Sequence, residues 1–203
     1  MILYHSPRTR STSVITLLHE LGLFEAVEIR VVNVRRGDGS GHIDPTNAHP
    51  EGKVPYLVDG DEHIRERGAI FTYLCEKAPQ AGFAPQPGAP GRGAFLSWMA
   101  YYQGVMEPVM VATILGLANE GFASTFRGRD EITAELRRAL DRGDYLLGGQ
   151  YSAADLLVAS PYLWFPDFAP DDGVIKAWLN RCGARKSLAQ TAAYDSALMA
   201  DLA

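Results

Sequence analysis

Gly52-Lys53-Val54-Pro55-Tyr56-Leu57 is the segment that constrains the architecture of this chain most strongly. A Val-Pro bond just before an apolar, strand-like run is a candidate cis peptide, because proline lowers the preference for trans to about 0.5–1 kcal/mol. With a cis bond we expect the backbone before Pro55 to turn outward, where its N–H and C=O can pair with an extended peptide. The segment therefore predicts a sheet edge that accepts a peptide-like ligand.

A helix is predicted to begin shortly after this edge, at Glu66-Arg67. The apolar residues that follow recur on one helical face; they are Ala69, Ile70, Tyr73 and Leu74. The first turn of a helix exposes unpaired N–H groups and a partial positive charge, so it attracts carboxylates. A sheet edge beside a helix N-terminus suits a small acidic peptide.

The N-terminal part of the chain has the pattern of a small α/β domain. Ile2-Leu3-Tyr4 predicts a buried strand, and residues 27–31 predict a second strand. Between them, an amphipathic helix is expected to start at Ser11 or its neighbour and to stop at Gly22. A connection of helical length between two strands favours parallel pairing. Residues 56–58 and 63–65 predict an antiparallel hairpin around an Asp-Gly turn. We therefore expect a sheet of about four strands.

The composition changes to Pro, Gly, Ala and Gln between residues 79 and 93, as in an inter-domain linker. We therefore place one domain at residues 1–78 and a second at 94–203. The second shows only helical periodicity, which ends in an irregular set, Leu188, Asp195, Leu198 and Leu202. Within it, Ser152-Ala153-Ala154-Asp155 has the spacing of a capping box with Asp in place of Glu, which predicts a role in folding.

The overall composition argues against several classes of function. A net charge of -5 without a basic cluster makes nucleic acid an unsuitable partner. No secretory signal and no apolar run of about 18 residues is present, so we expect a soluble cytoplasmic protein that does not span a membrane. Cys75 and Cys182 form no C-x-x-C pair, and the histidines lack ligand spacing, so no metal is expected. Any sulfur chemistry must come from a ligand.

Two runs carry a family resemblance: MILYHSPRTRSTSV at residues 1–14 and HPEGKVPYLVDGDEHIRERGAIFTYL at residues 49–74. They resemble the thioredoxin-like N-terminal half of cytosolic glutathione transferases of the bacterial type, and the helical remainder resembles their second domain. The resemblance implies a thioredoxin-like α/β domain plus an all-α domain, glutathione as co-substrate, a small electrophile of unknown identity, and a homodimer. A non-catalytic protein that binds glutathione or apolar ligands, and a glutathione-dependent isomerase, remain alternatives.

The resemblance also implies a catalytic hydroxyl where the first strand meets the first helix. Some bacterial members carry a Cys-Ser pair at this helix start, and Arg10-Ser11 occupies the position here, which points to Ser11. Thr9 and Ser13 remain alternatives, and a serine at a helix start is also an ordinary N-cap. Such a hydroxyl lowers the pKa of a bound thiol from about 8.5, where only about 3% is ionised at neutral pH.

Four further residues are implied to bind glutathione. Val54 would pair its backbone with the cysteinyl part, Glu66 would face the γ-glutamyl ammonium, and Lys53 would reach the glycyl carboxylate. Arg67 stands where many members have a serine that holds the γ-glutamyl carboxylate; it either strengthens that contact or points to solvent. For the electrophile, four residues at helical spacing are candidate pocket walls or ordinary core residues: Tyr101, Tyr102, Met106 and Met110.

Overall fold

The computed structural model describes the backbone of residues 1–201 and the side chains of residues 1–200. The strands are β1 (Ile2–His5), β2 (Glu28–Val31), β3 (Tyr56–Asp59) and β4 (Glu62–Ile64). The helices of the described chain are α1 (Thr12–Leu21), α2 (Arg67–Lys77), α3 (Arg92–Tyr101), α4 (Glu107–Ile114), α5 (Glu120–Phe126), α6 (Arg129–Leu140), α7 (Ala153–Trp164), α8 (Gly173–Gly183) and α9 (Lys186–Asp201).

The four strands form one mixed sheet in the order β2-β1-β3-β4. β1 pairs with β2 in parallel, as the strand-helix-strand pattern predicts, and antiparallel with β3. β3 and β4 form the predicted hairpin, whose two-residue turn contains Gly60 at φ +62°. The architecture of a thioredoxin-like domain followed by a helical region is therefore confirmed.

α1 is buried along most of its length, because its residues from Ser13 to Leu18 are all buried. The helix ends at Gly22, which adopts the left-handed conformation at φ +68° that glycine tolerates without steric cost. α2 packs against α1. These contacts fix the start of α1 and the start of α2 relative to the edge of the sheet, where the candidate site lies.

The chain divides into two compact units, Met1–Ala81 together with the segment from Arg185 onward, and Gly82–Ala184. α9 belongs to the first unit because it packs along α1. The predicted limits at residues 1–78, 79–93 and 94–203 stay a prediction, and Leu202 of the predicted periodicity lies outside the described residues. The last helix thus contributes to the unit that carries the candidate site.

The second unit is helical throughout. α3 continues through a π-helical turn, Tyr102–Met106, into α4. Pro108 near the start of α4 has no N–H, so an α-type bond to residue 104 is unavailable and the wider turn falls at that point. None of the helices within residues 1–201 is both long enough and apolar enough to cross a bilayer.

The capping motif at α7 is built around a buried carboxylate. Asp155 Oδ2 accepts from the Ser152 N–H at 2.9 Å and the Ser152 hydroxyl at 2.8 Å. Its Oδ1 accepts from Leu146 N and from Trp178 Nε1, both at 2.9 Å. Burial raises the pKa of Asp155 even though these four bonds favour its ionised form. The group ties α7 to α8 and to the chain before α7, as a folding role predicts.

Candidate functional site

The β1–α1 loop (residues 6–11) encloses Ser11 completely. Its Oγ lies 2.8 Å from His5 Nδ1, 2.8 Å from Thr9 Oγ1 and 3.1 Å from the Ser6 N–H, and the residue has no exposed surface. The Ser11 side chain makes no capping bond to α1. Ser11 is therefore not an ordinary N-cap; its hydroxyl organises the loop, and its direct role toward a ligand stays a prediction.

The two alternative hydroxyls differ in environment. Ser13 is buried, at 8% exposure, and donates to the Arg10 carbonyl at 2.9 Å. Thr9 is only partly buried and donates to the Ser6 carbonyl at 2.7 Å. Among Ser11, Thr9 and Ser13, Thr9 is the most exposed residue. Arg8 and Arg10 are exposed on either side of it, so this part of the loop suits an anion.

Sequence reasoning missed the other half of this network, His5 and Asp195. His5 Nε2 lies 3.1 Å from Asp195 Oδ1, and both residues are buried. Asp195 Oδ2 accepts from the Arg8 N–H at 2.8 Å and the Thr12 hydroxyl at 2.7 Å. Burial opposes ionisation of Asp195, but the hydrogen bonds from His5, Arg8 and Thr12 outweigh it and lower the pKa.

A sequence signal for this contact exists in the spacing of polar residues on two helices. Hydroxyl and carboxyl residues recur every fourth position on both α1 and α9; they are Thr12, Thr16 and Glu20, and Ser187, Thr191 and Asp195. A four-residue repeat places side chains on one helical face. Two matching polar faces in one chain are what an antiparallel polar contact between helices requires.

The predicted ligand edge lies at Val54. The Val54-Pro55 bond is cis, as predicted. Among residues 1–201, no hydrogen bond engages the backbone N–H or C=O of Val54, whereas its side chain packs against the buried Tyr4, Val32 and Tyr56. A backbone donor and acceptor left without protein partners at a sheet end are suited to pair with an extended ligand.

Glu66 and Arg67 form the start of α2. Glu66 is exposed and adopts φ +70° and ψ +125°, an uncommon backbone conformation for a residue with a side chain, and its carbonyl accepts from Ile70 N at 3.0 Å. Arg67 is buried, at 6% exposure. The alternative in which Arg67 points to solvent is therefore wrong: the guanidinium stays within the protein, at the helix end that attracts carboxylates.

Lys53 is exposed and forms an ion pair with Glu51, which is also exposed. The hydrogen bond from Lys53, followed by its charge, lowers the pKa of Glu51. Arg65 lies 3.7 Å from the same carboxylate. Exposed pairs of this kind contribute little to stability. Lys53 can therefore exchange Glu51 for the carboxylate of a ligand at little energetic cost.

The four candidate wall residues for an electrophile differ in exposure. Tyr102 and Met106 are buried, at 2% and 0% exposure, as core residues would be. Tyr101 is partly buried, and its ring meets Trp98 edge-on. Met110 lines a small pocket within the helical unit, together with Arg129, Ile132, Thr133, Tyr162, Phe168 and Pro170. Their role toward a substrate stays a prediction.

Among the described residues, no cluster of three or more His, Cys, Asp or Glu side chains is arranged to hold a metal ion. What the site offers instead is an unengaged peptide edge, a helix N-terminus with a buried arginine, and a loop of linked hydroxyls. These features lie on a thioredoxin-like domain followed by a helical unit, an architecture that the chain shares with solved glutathione transferases.

Comparison with known proteins agrees with this fold. Residues 3–82 match the family model for the N-terminal domain of glutathione S-transferases. A glutathione S-transferase-like protein, OpS6, of Beauveria bassiana is 25% identical, with 96% of this chain and 94% of that protein covered. The bacterial transferase BphK, solved as a ternary complex, superposes with a TM-score of 0.77 at 24% identity, covering 97% of this chain and 100% of that one.

A transferase from a sphingomonad, solved in complex with glutathione, is also similar. It superposes with a TM-score of 0.75 at 22% identity, and 97% of this chain and 99% of that chain are covered. Similarity at this level of identity establishes the shared fold. The chain spans nearly the whole length of these proteins, so the likeness extends to both units.

Proposed function

We propose that this protein is a cytosolic-type glutathione transferase that ionises the thiol of bound glutathione and directs it at a small electrophile. The observation that carries the proposal is the backbone of Val54, whose N–H and C=O are not engaged by any described residue, next to the N-terminus of α2. The match of residues 3–82 to the transferase N-terminal domain, and the names of the similar proteins, support the same function.

In this proposal glutathione lies extended along the edge. Its cysteinyl backbone pairs with Val54, and its γ-glutamyl carboxylate meets the first amides of α2 beside Arg67. Glu66 faces the γ-glutamyl ammonium, and Lys53 leaves Glu51 for the glycyl carboxylate. Each charged end of the tripeptide thus meets a group of opposite charge, and charge-assisted hydrogen bonds of this kind are the strongest that such a site can make.

The chemical step requires the thiol to ionise near neutral pH. Lowering its pKa by two units from about 8.5 needs about 2.7 kcal/mol of preferential stabilisation of the thiolate. One hydroxyl hydrogen bond to the anion, worth about 1.5–3 kcal/mol, together with nearby cations, supplies this amount. We propose that the hydroxyls of the β1–α1 loop act here, with Ser11 contributing either by direct contact or through Thr9.

Titration calorimetry tests the binding mode with a matched pair of variants. Glu66→Gln removes the charge that faces the ammonium, and we expect it to weaken glutathione binding about tenfold. Glu62→Gln neutralises a carboxylate that is also exposed, on β4, and leaves affinity unchanged. An equal loss in both variants would contradict the assigned role of Glu66, and the absence of binding to the wild type at millimolar glutathione would contradict the function itself.

A second candidate, a binding protein without turnover, is favoured by one observation. Ser11, the predicted catalytic hydroxyl, is fully enclosed. A non-catalytic protein would retain glutathione affinity but show no activity with aryl halides, peroxides or unsaturated carbonyl compounds. Turnover of any of these, dependent on glutathione, excludes this candidate.

We also propose a homodimer in the cytoplasm, as the resemblance implies. Light scattering on the purified chain tests the oligomeric state. The expected mass is twice that of one chain, and a monomer at micromolar concentration would contradict this part of the proposal.

A further inference from the structure

One carboxylate from the last helix secures the whole β1–α1 loop. Asp195 bonds to His5 just before the loop, to the Arg8 N–H in its middle, and to the Thr12 hydroxyl just after it. Asp195 lies 187 residues from Arg8 in sequence and is 4% exposed. The remainder of the proposed glutathione site comes from the segment before β3 and from the start of α2, so this contact is a separate contribution from α9.

The carboxylate determines where the hydrogens of the network lie. Asp195 only accepts, so His5 Nε2 carries a hydrogen. In the neutral ring with this tautomer, Nδ1 is an acceptor, and the donor beside it is the Ser11 hydroxyl at 2.8 Å. The one hydrogen of Ser11 is then directed at His5, at 2.8 Å, in preference to the Ser6 carbonyl at 3.1 Å, while its oxygen accepts from the Ser6 N–H.

The Thr9 oxygen consequently receives no hydrogen bond from the Ser11 hydroxyl. That oxygen accepts from the Ser11 N–H at 3.2 Å, and the Thr9 hydroxyl donates its own hydrogen to the Ser6 carbonyl at 2.7 Å. Because Thr9 is partly exposed, its hydroxyl can turn to a bound anion by exchanging that single hydrogen bond. Ser11 cannot do so without releasing His5.

We infer that Asp195, acting through His5 and Ser11, is a positioning residue that keeps the Thr9 hydroxyl available to donate to the thiolate of bound glutathione. The inference rests on the proposed function and adds to it which hydroxyl meets the sulfur and what orients that hydroxyl.

Other ionisable groups also lie near the network. The Tyr194 ring on α9 is 6.1 Å from the His5 ring, and burial, followed by the charge of Asp195, raises its pKa. The Arg36 guanidinium donates to the Pro7 carbonyl at 3.1 Å and lies 3.4 Å from Ser6 Oγ. Arg8 and Arg10 are exposed on the loop. The variants below leave all of these groups in place.

The test is the pH titration of the ultraviolet thiolate absorbance of protein-bound glutathione. Asp195→Asn and Thr9→Val are each expected to lower the thiol ionisation constant about tenfold, the effect of losing one hydrogen bond to an anion. The double variant should titrate like Thr9→Val alone, because Asp195 acts through Thr9. An unchanged midpoint in Asp195→Asn, or additive shifts in the double variant, would overturn the inference.

Two further variants separate positioning from stability. Thr191→Val breaks the bond from Thr16 in the same helix contact, 3.0 Å long, without touching the loop, so it should lower stability and leave the thiolate midpoint unchanged. His5→Asn keeps an oxygen acceptor beside Ser11, whereas His5→Phe does not. The midpoint of His5→Asn should therefore lie nearer to that of the wild type, and equal midpoints in the two His5 variants would overturn the inference.

The outcome also distinguishes this inference from the proposed function. If wild-type protein binds no glutathione, the proposed function fails first. If it binds glutathione with a lowered thiol midpoint that Asp195→Asn does not change, the function stands and only the role of Asp195 is contradicted.

Discussion

At the scale of single residues, the site depends on side chains whose hydrogen-bonding capacity is nearly used up inside the protein. The Ser11 hydroxyl has four polar neighbours, and Asp195 accepts from three donors. A buried polar group left without a partner costs free energy, so removing one partner of Ser11 or Asp195 lowers the stability of the protein. Residue-scale predictions therefore concern stability and ionisation together.

Asp195 gives a pH-dependent contribution to stability. Its pKa is lowered in the folded protein, so the unfolded state binds the proton more tightly and stability rises with pH in this range. The contribution is present above about pH 4, the unperturbed value, and is lost as pH falls through the folded pKa. In urea unfolding, the stability difference between wild type and Asp195→Asn should shrink from about pH 6 to about pH 3; a constant difference would contradict the ionised Asp195.

Ser152 is predicted to contribute to the stability of the protein and not to ligand binding. Ser152→Ala removes the hydroxyl that donates to Asp155, and the loss of such a capping residue typically costs about 0.5–2 kcal/mol. Thermal unfolding should show a lower Tm, while calorimetry shows unchanged glutathione affinity. Ser160→Ala is a suitable control, because that hydroxyl only donates to the Leu157 carbonyl within the same helix. Lost affinity at unchanged Tm would contradict the folding role.

The sequence located several residues of the site but not their environments. The cis bond at Pro55 and the capping pair at Asp155 follow from local patterns that the structure confirms. The burial of Arg67 and the enclosure of Ser11 did not follow, because burial depends on which distant segments cover a residue. Local sequence propensity contains no information about which distant segments pack over a residue.

At the scale of elements, the contact between α1 and α9 is mainly polar. Arg185 forms an ion pair with Glu20, which also accepts from the Ser187 hydroxyl at 2.6 Å, and Thr16 donates to Thr191. No apolar side chain of α9 among the described residues is fully buried. The position of α9, and of Asp195 with it, therefore depends on hydrogen bonds more than on apolar packing.

Glu20→Gln tests this dependence on hydrogen bonds. The amide places a donor against Arg185, so we expect α9 to be destabilised by about 1 kcal/mol and its amides to exchange about fivefold faster. Glu28→Gln is the control, because Glu28 pairs with Arg30 on an exposed surface. Hydrogen exchange resolved along α9 is the measurement, and equal exchange in both variants would contradict the polar docking of α9.

The elements themselves could largely be predicted from the sequence. Apolar spacing placed the first strands, α1 and the hairpin within one or two residues, because those elements bury apolar faces. α9 was recognised only as the least regular helix, since its buried face carries Ser187, Thr191 and Asp195. Hydrophobic periodicity does not detect a helix whose buried face is made of polar residues.

At the scale of the whole molecule, the fold establishes an architecture and leaves the activity to be measured. The match of residues 3–82 concerns the sequence of one domain, and the TM-scores above 0.7 with solved transferases concern the backbone. The activity depends on whether the Val54 edge, the start of α2 and the loop hydroxyls act on one tripeptide at once. A tripeptide with a thiol between two charged ends, such as the proposed ligand glutathione, would engage all three.

The most direct measurement of this central claim is the ultraviolet difference spectrum of the wild-type protein titrated with glutathione across pH. The account predicts saturable binding and a thiolate band whose midpoint lies well below about 8.5, the value of an ordinary thiol. Absence of the band at millimolar glutathione, or a bound thiol that ionises like the free one, would contradict it.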